Sequence, residues 1–369
     1  MLSVCEKDQC TGCMACADIC PKGAIKINDS MSALNAIIDE TKCIHCDACH
    51  RICQNNNPPE LREPICWKQG WSNDADGRAN SSSGGIAGEI ERQFIFDGGI
   101  VYSCIFEHGK FVFRSADTVQ DIDRFIGSKY VKSNPKGVYS SVSSDLKKGK
   151  RVLFVGLPCQ CAALKKFIGD NNRLWTVDLI CHGTPSPHIL ECYLDSYKLE
   201  LANIKRLEFR RKNRFHLFRD CNPVGPLRIM DDYTYTFLNA VSYTENCYNC
   251  TYAQSKRVSD ITLGDSWGSL LSENERKKGI SLILFQTEKG KELVEKANTS
   301  LFDVDIERAI EYNHQLIHPS IRNVNRIKFF ESLYRTNNFR KTVRLVFPKV
   351  FYKNTIKAFL IKTRVLSKE

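Results

Sequence analysis

Apolar residues recur along this chain at two periods, one suited to strands and one to helices. "AIKIND" (24–29) and "NAIIDE" (35–40) alternate apolar and polar positions around "SMSAL", which predicts two short strands joined by a turn. "SSSGGIAGEIERQFIFDGG" (81–99) passes from small polar residues into a helical period that puts Ile86, Ile90, Phe94 and Ile95 on one side. Serines and glycines at a helix start leave backbone N–H groups free, a seat for a phosphate or a flavin edge, or simply an ordinary N-cap. "RVLFVGLPCQCAALKKFIG" (151–169) reads as a buried strand, a tight turn through Pro158 and a helix. "LWTVDLICHGTPSPHILECYLDSYKLEL" (174–201) repeats that plan, with a strand ending at Cys181 and a helix opening after Pro185 or Pro187. "DITLGDSWG" (260–268) is a further strand running into a glycine turn. Both strand–helix units set a cysteine just beyond the carboxyl end of an apolar strand, where open α/β sheets bind ligands. Cys159 and Cys181 are therefore expected to be neighbours.

At 369 residues and 42% hydrophobic content the chain can bury a large core, in two or three domains. "QNNNPPELREP" (54–64) reads as a linker, with a new domain starting near Ile65. No run of about 18 apolar residues occurs, and MLSVCEKDQC lacks a signal core, which predicts cytoplasmic residence. The formal charge of +11 sits at one end: residues 320–369 hold thirteen Lys or Arg against Glu331 and Glu369. Within this segment Lys349, Lys353 and Lys357 form a basic stripe if helical, and Pro348 should kink or divide the helix. Three uses compete for the stripe: peripheral contact with an anionic membrane, an acidic partner protein, or a solvated face on a helix packed against the body. No nucleic-acid-binding motif accompanies the charge, so nucleic acid is not an expected partner.

Eighteen cysteines in a long chain without a signal peptide argue for metal ligation rather than a disulfide scaffold. "CTGCMACADICP" (10–21) is answered by "CIHCDACHRICQ" (43–54), each of four cysteines recurring 33 positions later. Three sulfurs in CxxCxxC can reach neighbouring irons of one cube, whereas structural zinc usually draws CxxC pairs from separate knuckles. Residues 1–57 resemble a bacterial two-cluster ferredoxin, in which the fourth cysteine of each run ligates the other cluster. The expected 4Fe-4S ligand sets are thus crossed, Cys10, Cys13, Cys16 and Cys53 for one cluster, and Cys43, Cys46, Cys49 and Cys20 for the other. Gln54 departs from the pattern, standing where the second copy usually has proline. Outside the repeat, Cys159, Cys181 and the pair Cys247 and Cys250 would supply four thiolates for a third cluster, while an isolated cysteine also serves as a small buried hydrophobe.

"SSSGG", "GSKYVKS" (127–133), "VGLPCQCAAL" (155–164), "DLICHGTPSP" (178–187), "CYNC" (247–250) and "SDITLGDSWG" (259–268) occur in this order. Together they resemble the coenzyme F420 hydrogenase/dehydrogenase beta-subunit family across roughly residues 65–300. The resemblance implies an α+β chain: a ferredoxin-type two-cluster domain (1–57), an α/β FAD and iron–sulfur domain (65–300) and a basic, mainly helical segment (301–369). It also implies a proximal 4Fe-4S cluster on Cys159, Cys181, Cys247 and Cys250. FAD would meet Ser83, Gly84 and Gly85, then Ser128, Lys129 and Tyr130, then Gly264, Asp265 and Trp267. His182 is a candidate proton donor to a substrate, or a histidine hydrogen-bonded to its own loop. Cys5, Cys66, Cys104, Cys161, Cys192 and Cys221 remain as buried thiols, with Cys161 able to substitute for Cys159 as a ligand.

In "LEFRRKNRFHLFRDCN" (207–222) Arg211 replaces an acidic residue usual in bacterial members and a tryptophan is missing, which points to a different substrate at that mouth. The expected activity is an oxidoreductase joining ferredoxin-type clusters and FAD to a small molecule, either a deazaflavin coenzyme or a polysaccharide-pathway substrate. A ferredoxin or a partner oxidoreductase would exchange electrons with it. The competing expectation is an electron-transfer subunit with no substrate site of its own.

Overall fold

The computed structural model describes residues 2–363, so Arg364, Lys368 and Glu369 of the basic segment lie outside the described residues. Near the N-terminus, β1 (Ile25–Asp29) and β2 (Leu34–Ile38) pair antiparallel with Ile25 opposite Ile38. Along β2, Leu34, Ala36 and Ile38 are buried and their neighbours are not, the period-two pattern of a strand with one covered face. The cysteine repeat is a structural repeat as well. Short helices Ala15–Ile19 and Ala48–Ile52 follow Met14 and Asp47, which stand 33 positions apart and share a left-handed backbone (φ 65° and 60°).

The remaining strands are β3 (Cys66–Ser72), β4 (Ile100–Glu107), β5 (Lys110–Ala116), β6 (Val152–Val155), β7 (Leu174–Leu179), β8 (Leu207–Arg211), β9 (Arg214–Arg219), β10 (Asn222–Pro223), β11 (Ile261–Asp265), β12 (Ser281–Phe285) and β13 (Thr299–Phe302). Eight of them form one sheet in the order β13-β3-β12-β11-β7-β6-β4-β5. Its centre is parallel (β4, β6, β7, β11) and its flanks antiparallel. Every residue of β6 and β12 is buried, as expected of strands covered on both faces. Ile86, Ile90, Phe94 and Ile95 of helix Ile86–Phe96 all enter the core beside β4, β6 and β11, as their period predicts. Strands β8, β9 and β10 make a separate small sheet.

Pro158 does not form the turn after β6. It opens helix Pro158–Ile168, and the turn is Gly156–Leu157, because a first-turn proline lacks only an N–H that would have no helical partner. The side chain of Gln160 takes the N–H of Leu157 instead (2.9 Å). Pro187 opens helix Pro187–Asp195 in the same way.

The N-terminal module is docked firmly on the body. Ser186 Oγ donates to Asp29 (2.7 Å), the Gly137 N–H donates to Asp18 (2.6 Å), and Tyr334 Oη donates to the Ser30 carbonyl (2.7 Å). Gln54, the departure from the repeat, is 2% exposed and ties the module in: its Nε2 donates to Thr11 Oγ1 (3.2 Å), and its Oε1 accepts from Tyr252 Oη. A proline could make neither bond.

At the other end, Pro348 does divide the helices, separating Phe339–Val346 from Pro348–Lys362. Phe329, Phe330, Leu333, Phe339, Val343 and Phe347 bury themselves against Tyr193 and Tyr233 of the body. The segment's charge is not all at the surface. Arg326 is 4% exposed, pairs with Glu245 (3.3 Å), donates to the Ser32 carbonyl (2.8 Å) and stacks on Tyr248 and Phe330. Lys349, Lys353 and Lys357 are exposed, among Tyr352, Ile356 and Phe359. No helix among the described residues is long and apolar enough to cross a membrane.

Candidate functional site

The carboxyl ends of β6, β7 and β11 open into a cavity of about 490 Å³, within the range of small-molecule sites. Ser83, Gly85, Ser128, Lys129, Tyr130, Gly264, Asp265 and Trp267, separated by as many as 184 positions in sequence, all line it, and so do Cys181 and His182. Gly84 does not. A Cβ built there would lie 2.4 Å from the Gly70 carbonyl oxygen and 2.7 Å from the Ser281 nitrogen, so this glycine is required by close packing on the sheet. Gly85 lines the cavity and has φ +88°, a backbone region costly for other residues, at the start of helix Ile86–Phe96.

Arg210, in β8, is the cavity residue the sequence concealed. Its guanidinium clamps Asp265 at both oxygens (2.7 and 2.9 Å), donates to the Ser82 carbonyl (2.7 Å) and to Tyr130 Oη (3.3 Å), and stacks near Phe215 and Trp267. One side chain thereby joins the serine loop, the "GSKY" loop and the turn after β11. Arg211, one residue on, points elsewhere: it pairs with Glu208 (2.6 Å), lies over Phe218 and is half-exposed. In "FRRKN" the two arginines are indistinguishable until strand alternation sends one inward.

Glu91 also borders the cavity, 3% exposed and with no hydrogen-bond partner among the described residues. Burial pushes its pKa from 4.5 up to about 8, against the pull of Lys129 and Arg92. Lys129 Nζ is held by the carbonyls of Phe125 (2.7 Å) and Gly127 (3.0 Å). Between about pH 4.5 and 8 the folded chain keeps a proton on Glu91 that the unfolded chain releases. Stability contributed by this group is therefore lost as pH rises through that window, by at most about 1.4 kcal/mol per pH unit. Glu91→Gln is expected to show a shallower decline in melting temperature from pH 5 to pH 8 than the parent chain. Equal slopes would contradict this assignment.

His182 faces the cavity with its Nδ1 2.8 Å from Gln315 Nε2. Burial, reinforced by His314, lowers its pKa to about 4. It is neutral at ordinary pH and can offer a proton only from the ring nitrogen turned away from Gln315.

The cysteines gather in three groups, and all eighteen are free thiols. Burial is the largest influence raising Cys13 and Cys181, each to about 12, and also Cys159 and Cys250. Thiols in such settings stay protonated until a cationic centre displaces the proton. Neighbouring thiols add to the effect and trace a line: Cys20 acts on Cys49, Cys49 on Cys16, Cys13 on Cys159, and Cys250 on both Cys159 and Cys181. The expected proximity of Cys159 and Cys181 is present, and Cys181 brings the line to the cavity. Cys161 turns away, its thiol donating to the Val177 carbonyl (3.5 Å) inside the core. Cys5, passed over in the sequence, is hydrogen-bonded with Cys10 and Cys53.

Among the described residues no three His, Cys, Asp or Glu side chains are set to hold a single metal ion. Sulfurs bound to separate irons of a cubane stand further apart than ligands of one ion. Two buried cations fit an anionic cubane at the third group. Arg257 is 1% exposed, and its Nε and Nη2 have no partner. Its charge reaches Cys250. Lys132 is 7% exposed, and its charge reaches Cys159, Cys181 and Cys250.

A family model for the C terminus of the coenzyme F420 hydrogenase/dehydrogenase beta chain matches residues 149–305, and one of a 4Fe-4S dicluster domain matches residues 9–57. The F subunit of the F(420)H(2) dehydrogenase of Methanosarcina mazei is 23% identical over 296 residues, spanning 74% of this chain and 81% of the relative. A chain from the xenon-derivatized F420-reducing NiFe hydrogenase complex of Methanosarcina barkeri is 19% identical, with 72% of this chain and 98% of that one covered at a TM-score of 0.45. The protein is thus a member of the coenzyme F420 hydrogenase/dehydrogenase beta-subunit family that carries its own 4Fe-4S dicluster domain.

Proposed function

We propose that this iron–sulfur electron-transfer protein conducts electrons along its three cysteine groups to FAD in the cavity, and from there to or from a small molecule. The observation that carries the reading is the unbroken line of thiols from Cys20 and Cys49 to Cys181 at the cavity wall. Cys43, Cys46, Cys49 and Cys20 would hold the outer cluster, Cys10, Cys13, Cys16 and Cys53 the middle one, and Cys159, Cys181, Cys247 and Cys250 the inner one. When bound, FAD supplies exchange between two-electron and one-electron chemistry.

The chain's own residues give that cavity its character. Tyr130 stacks on Phe237 with ring centres 4.4 Å apart, which keeps one wall apolar. Arg210 fixes Asp265 and the serine loop, and the N–H groups at the start of helix Ile86–Phe96 remain free for an anionic ligand. The name of the Methanosarcina mazei relative makes reduced deazaflavin the first substrate to try. Ferredoxin or a partner oxidoreductase would meet the outer cluster, since Cys46 is exposed.

Iron, sulfide and flavin assays on anaerobically purified protein test the reading, which requires about twelve irons and one FAD per chain. About eight irons would remove the inner cluster. Zinc without flavin would reject the redox reading as a whole.

A further inference from the structure

Lys132 lies between the middle and inner cysteine groups and is tied to both. Its ammonium donates to the carbonyl of Thr11, inside the first CxxC (3.0 Å), and its backbone N–H donates to Pro185, in the loop that follows Cys181 (2.9 Å). Its stem covers Gly12 so closely that a Cβ on that glycine would lie 3.2 Å from Lys132 Cδ. Only 7% of the residue is exposed, and among the described residues its ammonium has no carboxylate partner. A buried ammonium satisfied by one carbonyl is costly unless negative charge stands nearby. The thiols of Cys10, Cys159, Cys181 and Cys250 all feel this charge, so the compensation has to come from those two groups.

We propose that Lys132 is the shared counter-charge of the middle and inner clusters and holds the reduction potentials of both above the values they would otherwise have. This rests on the assignment of cubanes to those two cysteine groups. Each one-electron reduction adds a negative charge to a cluster, and a fixed cation beside it favours the reduced state; net charge is among the factors that set cubane potentials. Because the same cation serves both clusters, it raises the two together and keeps the step between them small. The outer cluster, on Cys43, Cys46, Cys49 and Cys20, lies beyond its reach and serves as an internal reference.

The test is a redox titration followed by electron paramagnetic resonance, on full-length holoprotein with Lys132 replaced by Met, Gln or Arg and iron counted in each. With iron intact, the Met and Gln variants should show two of three one-electron reductions made about tenfold less favourable, a lowering of about 59 mV each. The third should be unmoved, and the Arg variant should stay close to the parent. Loss of about four irons in the neutral variants, with retention in the Arg variant, also supports the counter-charge role. Three unmoved potentials in the Met and Gln variants would overturn it. So would an Arg variant that shifts, or loses iron, as far as Met, because shape rather than charge would then be responsible. A parent protein with only about eight irons would instead remove the inner cluster, and this inference with it.

Discussion

Replacing Cys181 with alanine is expected to remove about four of about twelve irons while the signals of the two N-terminal clusters persist. The selectivity follows from the line of thiols. Cys181 stands with Cys159, Cys247 and Cys250, and none of the cysteines assigned to the outer and middle clusters appears among the charges acting on it. Three thiolates and a methyl group cannot complete a cubane with four irons. The fold should survive, because Cys181 lies in the loop after β7, outside the sheet core. Electron transfer into the cavity should then fail even when the outer clusters are reduced. Unchanged iron in this variant would refute the ligand role. As a contrast, Cys161→Ala, at a position buried against β7, should keep all its iron and lose only some stability.

Arg210→Ala is expected to have the second largest effect, a loss of about 3–5 kcal/mol together with most of the bound flavin. The guanidinium is 4% exposed and forms both bonds to Asp265, whose side chain is 21% exposed, so the substitution strands a carboxylate that has little access to water. It also frees the Ser82 carbonyl and Tyr130 Oη, loosening two of the three loops that line the cavity. Arg210→Lys should recover little, since an ammonium cannot present the planar two-pronged geometry. Arg211→Ala, at the half-exposed neighbour, should be nearly silent. Thermal melting and flavin content of the three variants measure this; a stable, flavin-replete Arg210→Ala protein would contradict it.

The local periods of the sequence were informative wherever a residue's surroundings come from its own element. The four apolar residues of helix Ile86–Phe96, the hairpin β1–β2 and the strand–helix units at Cys159 and Cys181 are of this kind. What escaped sequence reading depends on contacts across the chain. Arg210 takes its meaning from Asp265, 55 positions later, and Gln54 from Tyr252, 198 positions later. Gly84 belongs to the expected ligand-binding run, yet its lack of a side chain is explained by Gly70 and Ser281 across the sheet. The basic C-terminal segment appeared uniform in sequence, but the fold buries Arg326 against Glu245 and leaves the Lys349, Lys353 and Lys357 stripe outside. Charge counts record how many cations a segment has and cannot tell which of them find partners.

The most direct test of the central claim, that three clusters and a flavin lie on one path, is an anaerobic reductive titration of the purified full-length protein, counting electrons per chain. The account predicts about five electrons, one for each of three cubanes and two for FAD, with cluster and flavin absorbance both bleaching. Uptake of about two electrons, with no flavin bleaching, would contradict it.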